Sequence, residues 1–457
     1  MMKRNAILAF LVAALLLTAC APAAPAETTA PASAGLLAEA SYPEMATYPN
    51  EMAYFDEKTG EFDSDGFDEV YTAWREDRKA QYSQPEGYAD GLNTFFQTGI
   101  PQFLTGESGE NAVCSPLNLY MALAMLAEVT DGETRQQVLD LLNSAGIDAL
   151  RTQAGHVWNA HYCADSASTS ILANSVWMDS GLTYDGSVLE TLADKYYASA
   201  FQGDLGTEEM DKLLQDWIND QTGGLLKEQA QNLHMDPATV FALASTIYYR
   251  AKWTNEFSEG FNTEDVFHGT VGDVTVTYMN TCLTYGPYYW GDDFGAVSLG
   301  LEDGGRMWLI LPDEGKTPQD LLASGHALDL ILGKPFETEN QKSLRVNLSL
   351  PKFDIVSNQK LNDSLNNLGI THVFDPESAE FSLIQTEDSC WLDSVDHAAR
   401  GAIDEEGVTA AAYTVMMTCG AGMPPEDEID FILDRPFLFI ITSRDNLPLF
   451  AGVVNQP

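Results

Sequence analysis

The sequence predicts an α+β fold with large β-sheets. Helical and strand-like patterns interleave from about residue 87 to residue 457 without a clear linker, which is typical of one compact domain. Hydrophobic residues make up 45% and aromatic residues 10% of the 457-residue chain. That is enough apolar material for a sizeable core, and it excludes wholesale disorder.

Five segments carry the pattern of helices. Leu117–Leu126 is apolar nearly all round, which predicts a buried helix. Thr134 and Gln137 form a capping box, which predicts that another helix starts there. Apolar spacing predicts three more, at Leu92–Phe103, Val188–Tyr197 and Met210–Gln221. Strands are predicted where aliphatic, β-branched and aromatic residues cluster, at Ser170–Met178, Val240–Tyr249, Met307–Leu311, Ser343–Leu350 and Phe437–Thr442.

The first 19 residues are typical of a bacterial secretory signal. Lys3 and Arg4 precede the apolar run Ala6–Leu17, which is too short for a membrane span of about 20 residues. Leu17-Thr18-Ala19-Cys20 resembles the lipobox of bacterial lipoproteins. The resemblance implies cleavage before Cys20 and a diacylglycerol anchor on its sulfur. We therefore expect an exported lipoprotein, anchored at the bacterial cell surface or released from it.

Residues 20–86 are predicted to be an acidic tether. Ala21–Ala34 is rich in Ala, Pro and Thr, which favours an extended chain. Residues 35–84 are polar, acidic and rich in Tyr and Phe, and Phe67–Gln81 has the spacing of one amphipathic helix. The sequence leaves open whether this part packs on the domain, which is expected to occupy residues 87–457.

Charge and motifs argue against a nucleic-acid partner and offer no support for an enzyme. The 23 basic and 68 acidic residues give a net charge of −45, which argues against a nucleic-acid partner. There is no HExxH, GxSxG, Walker or GxGxxG pattern, so nothing indicates an enzyme, a metal or a cofactor. The odd, scattered cysteines after Cys20 do not resemble a disulfide framework, and we expect isolated buried thiols at four of them: Cys114, Cys163, Cys282 and Cys390.

The segment Asp404–Pro425 has the composition of a hinged, exposed loop. Three acidic residues, Asp404–Glu406, are followed by Gly407, which accepts positive φ and is a natural hinge. Val408–Cys419 then contains neither charge nor proline, so every backbone N–H in it is available to a β-ladder. Taken alone, this composition is also compatible with a simple connector.

Seven motifs in order resemble those of the serpins, over about residues 87–457. They are Asn111-Ala112-Val113-Cys114-Ser115-Pro116, Leu172-Ala173-Asn174-Ser175-Val176-Trp177, Trp217-Ile218-Asn219 with Thr222-Gly223-Gly224, Ile247-Tyr248-Tyr249-Arg250-Ala251-Lys252-Trp253, Leu350-Pro351-Lys352-Phe353, Leu368-Gly369-Ile370 and Asp434-Arg435-Pro436-Phe437-Leu438-Phe439. The resemblance implies three β-sheets, about eight to nine helices and an exposed reactive loop.

The resemblance also implies a mechanism. A target protease cuts the loop, and the part before the cut then enters the main sheet as a new strand. With period two, Val408, Ala410, Ala412 and Thr414 would share one face, and Tyr413 would lie on the other. About 12 inserted residues at about 1 kcal/mol per hydrogen bond amount to about 10 kcal/mol, comparable to the stability of a whole domain.

Site residues follow from the family's motifs. The resemblance places the cleaved bond at Ala421–Gly422, with cleavage after Met417, Thr418 or Cys419 as an alternative. It implies a loop hinge at Glu405, Glu406, Gly407, Val408, Thr409, Ala410, Ala411 and Ala412, and a position at the top of the sheet, the breach, at Trp253. The family's shutter beneath the sheet corresponds to Ser115, Asn118, Ser245 and His397, with serine and asparagine exchanged between two sites. We expect Asn118 and Ser245 still to hydrogen-bond His397.

The sequence therefore predicts a monomeric protease inhibitor, not an enzyme. A small residue before the cleaved bond favours elastase-like serine proteases, and subtilisin-like proteases are further candidate targets. The alternative is a non-inhibitory serpin that acts as a binding protein or as a protease substrate.

Overall fold

The computed structural model describes residues 35–56, 59–104, 109–164, 168–333, 338–381, 384–385, 390–408 and 427–457. From Gly35 onward these residues form one compact unit. The α-helices of the described residues are α1 (Ser64–Tyr82), α2 (Leu92–Phe103), α3 (Pro116–Val129), α4 (Gly132–Leu141), α5 (Ile147–His161), α6 (Gly186–Tyr196), α7 (Glu208–Gln221), α8 (Lys227–Ala230), α9 (Pro318–Ser324), α10 (His326–Leu332) and α11 (Asn362–Asn367). Short 3₁₀ turns lie at Glu51–Tyr54, Glu259–Phe261 and His372–Phe374.

The strands alternate with these helices along the chain. They are β1 (Leu36–Ala38), β2 (Ala112–Cys114), β3 (Cys163–Ala164), β4 (Ser168–Asp179), β5 (Thr183–Tyr184), β6 (Ala198–Gly203), β7 (Phe241–Lys252), β8 (Thr263–Gly269), β9 (Gly272–Trp290), β10 (Phe294–Gly300), β11 (Arg306–Pro312), β12 (Gln341–Pro351), β13 (Phe353–Lys360), β14 (Ile384–Gln385), β15 (Asp396–Ile403), β16 (Gly407–Val408), β17 (Glu428–Ile432), β18 (Phe437–Thr442) and β19 (Pro448–Val454). Within the described residues they form sheets of eight, nine and two strands. This confirms the predicted α+β class with several sheets, and the eleven described helices exceed the eight to nine expected.

The eight-stranded sheet, the main sheet, has the order β1-β6-β4-β7-β16-β15-β13, with β3 paired to β4. Strand β7 pairs with β4 along its length, from Phe241 to Ala251. Strand β15 pairs with β13 in the same way, from Asp396 to Ile403. Between β7 and β15, the described part of the chain contributes only the two residues of β16.

The nine-stranded sheet packs behind the main sheet and carries the far end of the loop. Its order is β17-β12-β9-β10-β11-β18-β19-β2, with β8 paired to β9. Strand β17 runs parallel to β12, with Glu428 opposite Arg345. The ring of Phe353 on β13 lies 5.2 Å from that of Phe439 on β18, which joins the two sheets through the core.

Most predicted elements are confirmed, because long apolar runs bounded by turn residues specify them well. Helix α2 has the predicted bounds, and α3 is buried as its composition requires. The capping box at Thr134 is wrong, because α4 begins at Gly132 and the Asp131 side chain accepts the capping hydrogen bond. Thr134 is instead buried inside the helix, where its hydroxyl accepts from the backbone of Glu380 at 3.1 Å.

The described residues between Gly35 and 86 contact the domain, a point that the sequence left open when it grouped 20–86 as an acidic tether. Helix α1 contains the predicted amphipathic stretch and buries Trp74 and Tyr82. Strand β1 pairs with β6 at the edge of the main sheet. Within the described residues, no helix is long and apolar enough to cross a membrane.

Candidate functional site

The candidate site is the space between β7 and β15, with the hinge residues Gly407 and Val408 at one end. Gly407 pairs with Lys252, and Val408 pairs with both Ala251 on β7 and Ile403 on β15. Since β16 is antiparallel to both neighbours, β7 and β15 run parallel to each other. The hinge therefore occupies the position that a complete central strand would occupy, and it fixes the register of any continuation.

Gly407 is required here by a close backbone approach. A Cβ on residue 407 would lie 2.3 Å from the carbonyl oxygen of Ala251 and 2.8 Å from the Cα of Lys252. Its φ is not in the left-handed region, so the positive φ suggested by the sequence is not the reason for glycine. The absence of a side chain is what lets β16 sit against β7.

A short turn connects β15 to the hinge and is held by Asp404. Its carboxylate oxygen Oδ1 accepts hydrogen bonds from the backbone N–H groups of Glu406 (2.9 Å) and Gly407 (3.2 Å). The Asp404 N–H donates to the carbonyl of Gly407 at 3.1 Å. These bonds make the turn a defined structure and not a free connector.

Trp253, predicted for the breach, joins the turn to the top of β7. It is 1% exposed, and its Nε1 donates to the carbonyl of Asp404 at 2.9 Å. Its backbone N–H donates to the carbonyl of Glu406 at 2.9 Å. The family resemblance placed Glu405 and Trp253 together at the top of the sheet, and in the structure Trp253 contacts the residues on either side of Glu405.

Glu405 anchors the same turn by its charge. Glu405 is 8% exposed, and its Oε1 lies 2.5 Å from Lys352 Nζ and accepts from Asn262 Nδ2 at 2.5 Å. Burial acts to raise the pKa of Glu405, but the hydrogen bonds from Lys352 and Asn262 outweigh it and hold the pKa below its usual value. The neighbouring Glu406 has its pKa raised, by burial first and then by Asp404.

The shutter residues lie further along the space, in two sets of hydrogen bonds that meet at Ser115, whose N–H donates to His397 and whose Oγ accepts from the Asn118 backbone N–H at 3.4 Å. Asn118 on α3 and Ser245 on β7 bond each other: Asn118 Nδ2 donates to the Ser245 carbonyl (3.0 Å), and Ser245 Oγ contacts Asn118 Oδ1 (2.5 Å). Ser245 Oγ also lies 2.7 Å from Asn174 Oδ1 on β4. Asn118 is therefore tied to the β4–β7 side of the sheet.

His397 bonds neither the Asn118 nor the Ser245 side chain, contrary to the prediction. Its Nε2 accepts a hydrogen bond from the backbone N–H of Ser115 at 3.0 Å, and burial lowers its pKa to about 4. The hinge register sets His397 on β15 level with Ser245 on β7, with the width of the space between them.

A segment that the sequence did not single out for this role crosses the space. Arg400 on β15 pairs bidentately with Asp354 on β13 (2.8 and 2.6 Å), and its Nη1 donates to the carbonyl of Leu225 at 3.2 Å. On the opposite side, Gly223 packs on the ring of Tyr248 of β7. Residues 222–226, which follow α7, therefore contact both strands that a new strand would separate. Only the Thr222-Gly223-Gly224 motif signalled this segment in the sequence.

The remaining predicted residues fall into two groups. Among the described cysteines, Cys114 and Cys163 are buried and Cys390 is half-buried, but Cys282 is exposed on β9, so its predicted burial is wrong. In the described part of the chain, no cluster of three or more His, Cys, Asp or Glu side chains is arranged to hold a metal ion. Several residues that the sequence analysis singled out lie outside the described ranges: Cys20, Thr409, Ala410, Ala411, Ala412, Cys419, Ala421 and Gly422.

Comparison with known proteins gives a consistent result. The family model described as "Serpin (serine protease inhibitor)" matches residues 92–457. Serpin-ZX of Arabidopsis thaliana is 26% identical over 374 residues, covering 77% of this chain and 94% of that protein. Alpha-1-antiproteinase 2 of Equus caballus is 30% identical over 358 residues, covering 76% and 82%.

A solved structure shares the architecture. The thermophilic serpin tengpin in its native state superposes with a TM-score of 0.72 at 25% identity, covering 82% of this chain and 95% of that one. The sheet order, the hinge between β7 and β15 and the matched family model agree in assigning the chain to one family. This chain belongs to the serpin family.

Proposed function

We propose that this chain inhibits serine proteases by the suicide-substrate mechanism, in which the cleaved loop enters the main sheet between β7 and β15. Serpins are in general protease inhibitors rather than catalysts. The observation that carries the proposal is β16: Val408 already pairs with both strands, and the predicted reactive loop follows it in the sequence. The preferred targets are elastase-like or subtilisin-like proteases, with Ala421–Gly422 as the cleaved bond.

The hinge register predicts where the inserted residues would lie. Val408 is buried in the core, opposite Ala251 and Ile403. Each further loop residue then pairs one position earlier on both neighbouring strands. Small side chains therefore face the core next, and Thr414 comes level with Ser245 and His397.

That placement supports insertion on chemical grounds. Between Ser245 and His397, Thr414 would add a hydroxyl to a buried polar region, where an unpaired group is costly and a paired one is tolerated. Ala412 would lie between Ile247 and Ala399, where only a small side chain is needed. A charged side chain at Ala412 would be buried without a partner, which predicts that it blocks insertion.

The test is to mix the purified protein with neutrophil and pancreatic elastase, subtilisin, trypsin and chymotrypsin. The proposal predicts a covalent protease complex that survives detergent, and N-terminal sequencing of the released peptide beginning at Gly422. Ala412→Arg should be cleaved without forming the complex. Glu426→Arg, an arginine placed beyond the cleaved bond, should still form it. Cleavage of the wild-type protein with no complex would contradict inhibition and support the non-inhibitory alternative.

We also propose that the mature protein is an exported monomer anchored to a bacterial membrane through a lipid on Cys20. The lipobox-like Leu17-Thr18-Ala19-Cys20 supports this. Mass spectrometry of the protein from its membrane fraction should show an acylated N-terminal cysteine. A Cys20→Ser variant should lose both the lipid and the membrane association, and an unmodified, soluble wild-type protein would contradict the proposal.

A further inference from the structure

An exposed surface lies between the two ends of the predicted reactive loop. The loop follows Val408 of the hinge, and the described chain resumes at Asp427, directly before β17. On the hinge side, Asn262 donates to Glu405 at 2.5 Å, so the 3₁₀ turn that ends at Phe261 is attached to the turn before the hinge. A protease that binds the loop therefore approaches this surface.

A row of contacts connects Phe261 to β17. The Nδ2 of Asn280 on β9 donates to the carbonyl of Phe261 at 2.8 Å. The Oγ of Ser349 on β12 donates to Asn280 Oδ1 at 2.7 Å, and Ser349 lies opposite Ile432 on β17. Three strand spacings of about 4.8 Å separate Phe261 from Ile432, so the two residues lie about 14 Å apart. That distance fits within the face of one protein–protein interface, about 800 Å² on each partner.

Both ends of this row are apolar side chains that face solvent. Phe261 is 68% exposed and Ile432 is 45% exposed. A single exposed apolar residue is ordinary on a protein surface, but these two flank the base of a loop that another protein has to bind. Interfaces are enriched in aromatic residues, and a few apolar anchors carry most of the binding energy once the partner covers them. The two residues therefore have the place and the chemistry of interface anchors.

The charge around the row selects the kind of partner. Glu428 and Asp430 on β17 are exposed. Arg345 lies opposite Glu428, whereas Asp430 accepts a hydrogen bond from the uncharged Asn347 at 2.8 Å. The chain as a whole carries a net charge of −45. A field of this sign attracts cationic proteins and repels anionic ones, so the complementary surface is apolar and basic.

We propose that Phe261 and Ile432 form a second docking surface for the target protease, beside the loop, and that this protease is cationic. The proposal rests on the proposed function only in that a protease has to bind the loop. Target choice then depends on the surface of the enzyme as well as on the residue before the cleaved bond. A protease with the same loop preference but an acidic surface reacts more slowly.

The experiment measures the second-order rate at which the intact protein is consumed, counting trapped and merely cleaved product together. The enzyme is the protease of the panel above that cuts the wild-type loop fastest. Phe261→Ser and Ile432→Thr each remove an apolar anchor and should each slow consumption about tenfold. Threonine keeps the β-branched shape that suits a strand. Val271→Thr is the matched control, because Val271 is 84% exposed in the turn at the opposite end of β8 from Phe261.

Added salt tests the charge of the partner. Raising NaCl from about 0.05 M to about 0.5 M should slow consumption of the wild-type protein about tenfold, because salt screens the attraction between the two proteins. Hydrolysis of a small neutral substrate by the same enzyme corrects for any effect of salt on the enzyme itself. A rate that salt leaves unchanged, or raises, overturns the cationic partner.

Each outcome with the variants decides the matter. Rates that fall with both Phe261→Ser and Ile432→Thr, but stay within twofold with Val271→Thr, support the docking surface. A rate that either variant leaves within twofold of the wild type, or that the control slows equally, overturns it. A wild-type protein that sediments as a dimer, and that Phe261→Ser makes monomeric, assigns the surface to a second copy and also overturns it. Slower cleavage in both variants without any covalent complex keeps the surface and removes the proposed inhibition.

Discussion

Replacing Gly407 by alanine tests the hinge most sharply, because one methyl group is added where the backbones meet. The added Cβ would lie 2.3 Å from the carbonyl oxygen of Ala251, so β16 has to move away from β7. Overpacking of this kind costs about 1–3 kcal/mol, and the smaller chain entropy of unfolded alanine offsets about 0.4–1 kcal/mol. The net effect is about 1–2 kcal/mol against the hinge lying in the sheet.

That energy translates into a measurable change of inhibition. Since about 1.4 kcal/mol is a factor of ten, the fraction of encounters that end in simple cleavage should rise about tenfold relative to those that end in a complex. The assay titrates elastase with each protein and measures the moles of inhibitor consumed per mole of enzyme inactivated. Gly186→Ala is the control, since a Cβ there meets nothing within 4 Å. An unchanged stoichiometry for Gly407→Ala would refute the role assigned to the close contact.

Three further predictions concern charges around the same space. Glu405→Gln removes the charged partner of Lys352. Because the pKa of Glu405 is depressed in the fold, the stabilisation by this carboxylate is present above about pH 4.3 and is lost as the pH falls. Chemical denaturation should therefore show a variant that is less stable than the wild-type protein at pH 7, with a smaller difference at pH 3. Arg400→Met breaks the bond to the Leu225 carbonyl, and uptake of a labelled synthetic loop peptide should become several-fold faster; an unchanged rate would contradict a role for residues 222–226 in covering the space. Burial lowers the pKa of His397 to about 4, so this histidine stays neutral in the folded protein while the unfolded chain binds a proton. The free energy of unfolding should therefore fall by up to about 3 kcal/mol between pH 6.5 and pH 4. A His397→Gln variant should lack this part of the pH dependence.

The elements of the fold could be predicted because their signals are local. Strand β18 is a run of β-branched and aromatic residues whose observed bounds, Phe437–Thr442, are those predicted from composition. Helix α3 is apolar all round, and that pattern requires burial wherever the helix lies. The start of α4 was missed by three residues because both Asp131 and Thr134 are good capping residues, and only the fold decides which one caps.

The sequence predicted which residues form the site but not which contacts those residues make. Gly407 was identified by its residue type, while the reason for it, a 2.3 Å approach to a neighbouring strand, depends on tertiary structure. The shutter residues were named from the family pattern, but the partner of His397 is a backbone N–H, which no residue type reveals. Arg400 was overlooked because its partner, the Leu225 carbonyl, is equally invisible in sequence.

The N-terminal segment shows a different limit. Its acidic, polar composition grouped it with the tether and left open whether it packs on the domain, and its aromatic residues provide the apolar surface that docks. Trp74 is buried at 7% exposure, and its Nε1 donates to the carbonyl of Ala46 at 3.2 Å. Average composition does not decide whether such a segment packs, because a few large aromatic side chains each bury about 150–250 Å² when they dock.

A crystal structure of the loop-cleaved protein tests the central proposal most directly. The proposed function predicts a full strand between β7 and β15 that continues from Val408, with Thr414 between Ser245 and His397. A cleaved protein in which the loop residues lie outside the main sheet, with no strand added beyond Val408, would contradict it.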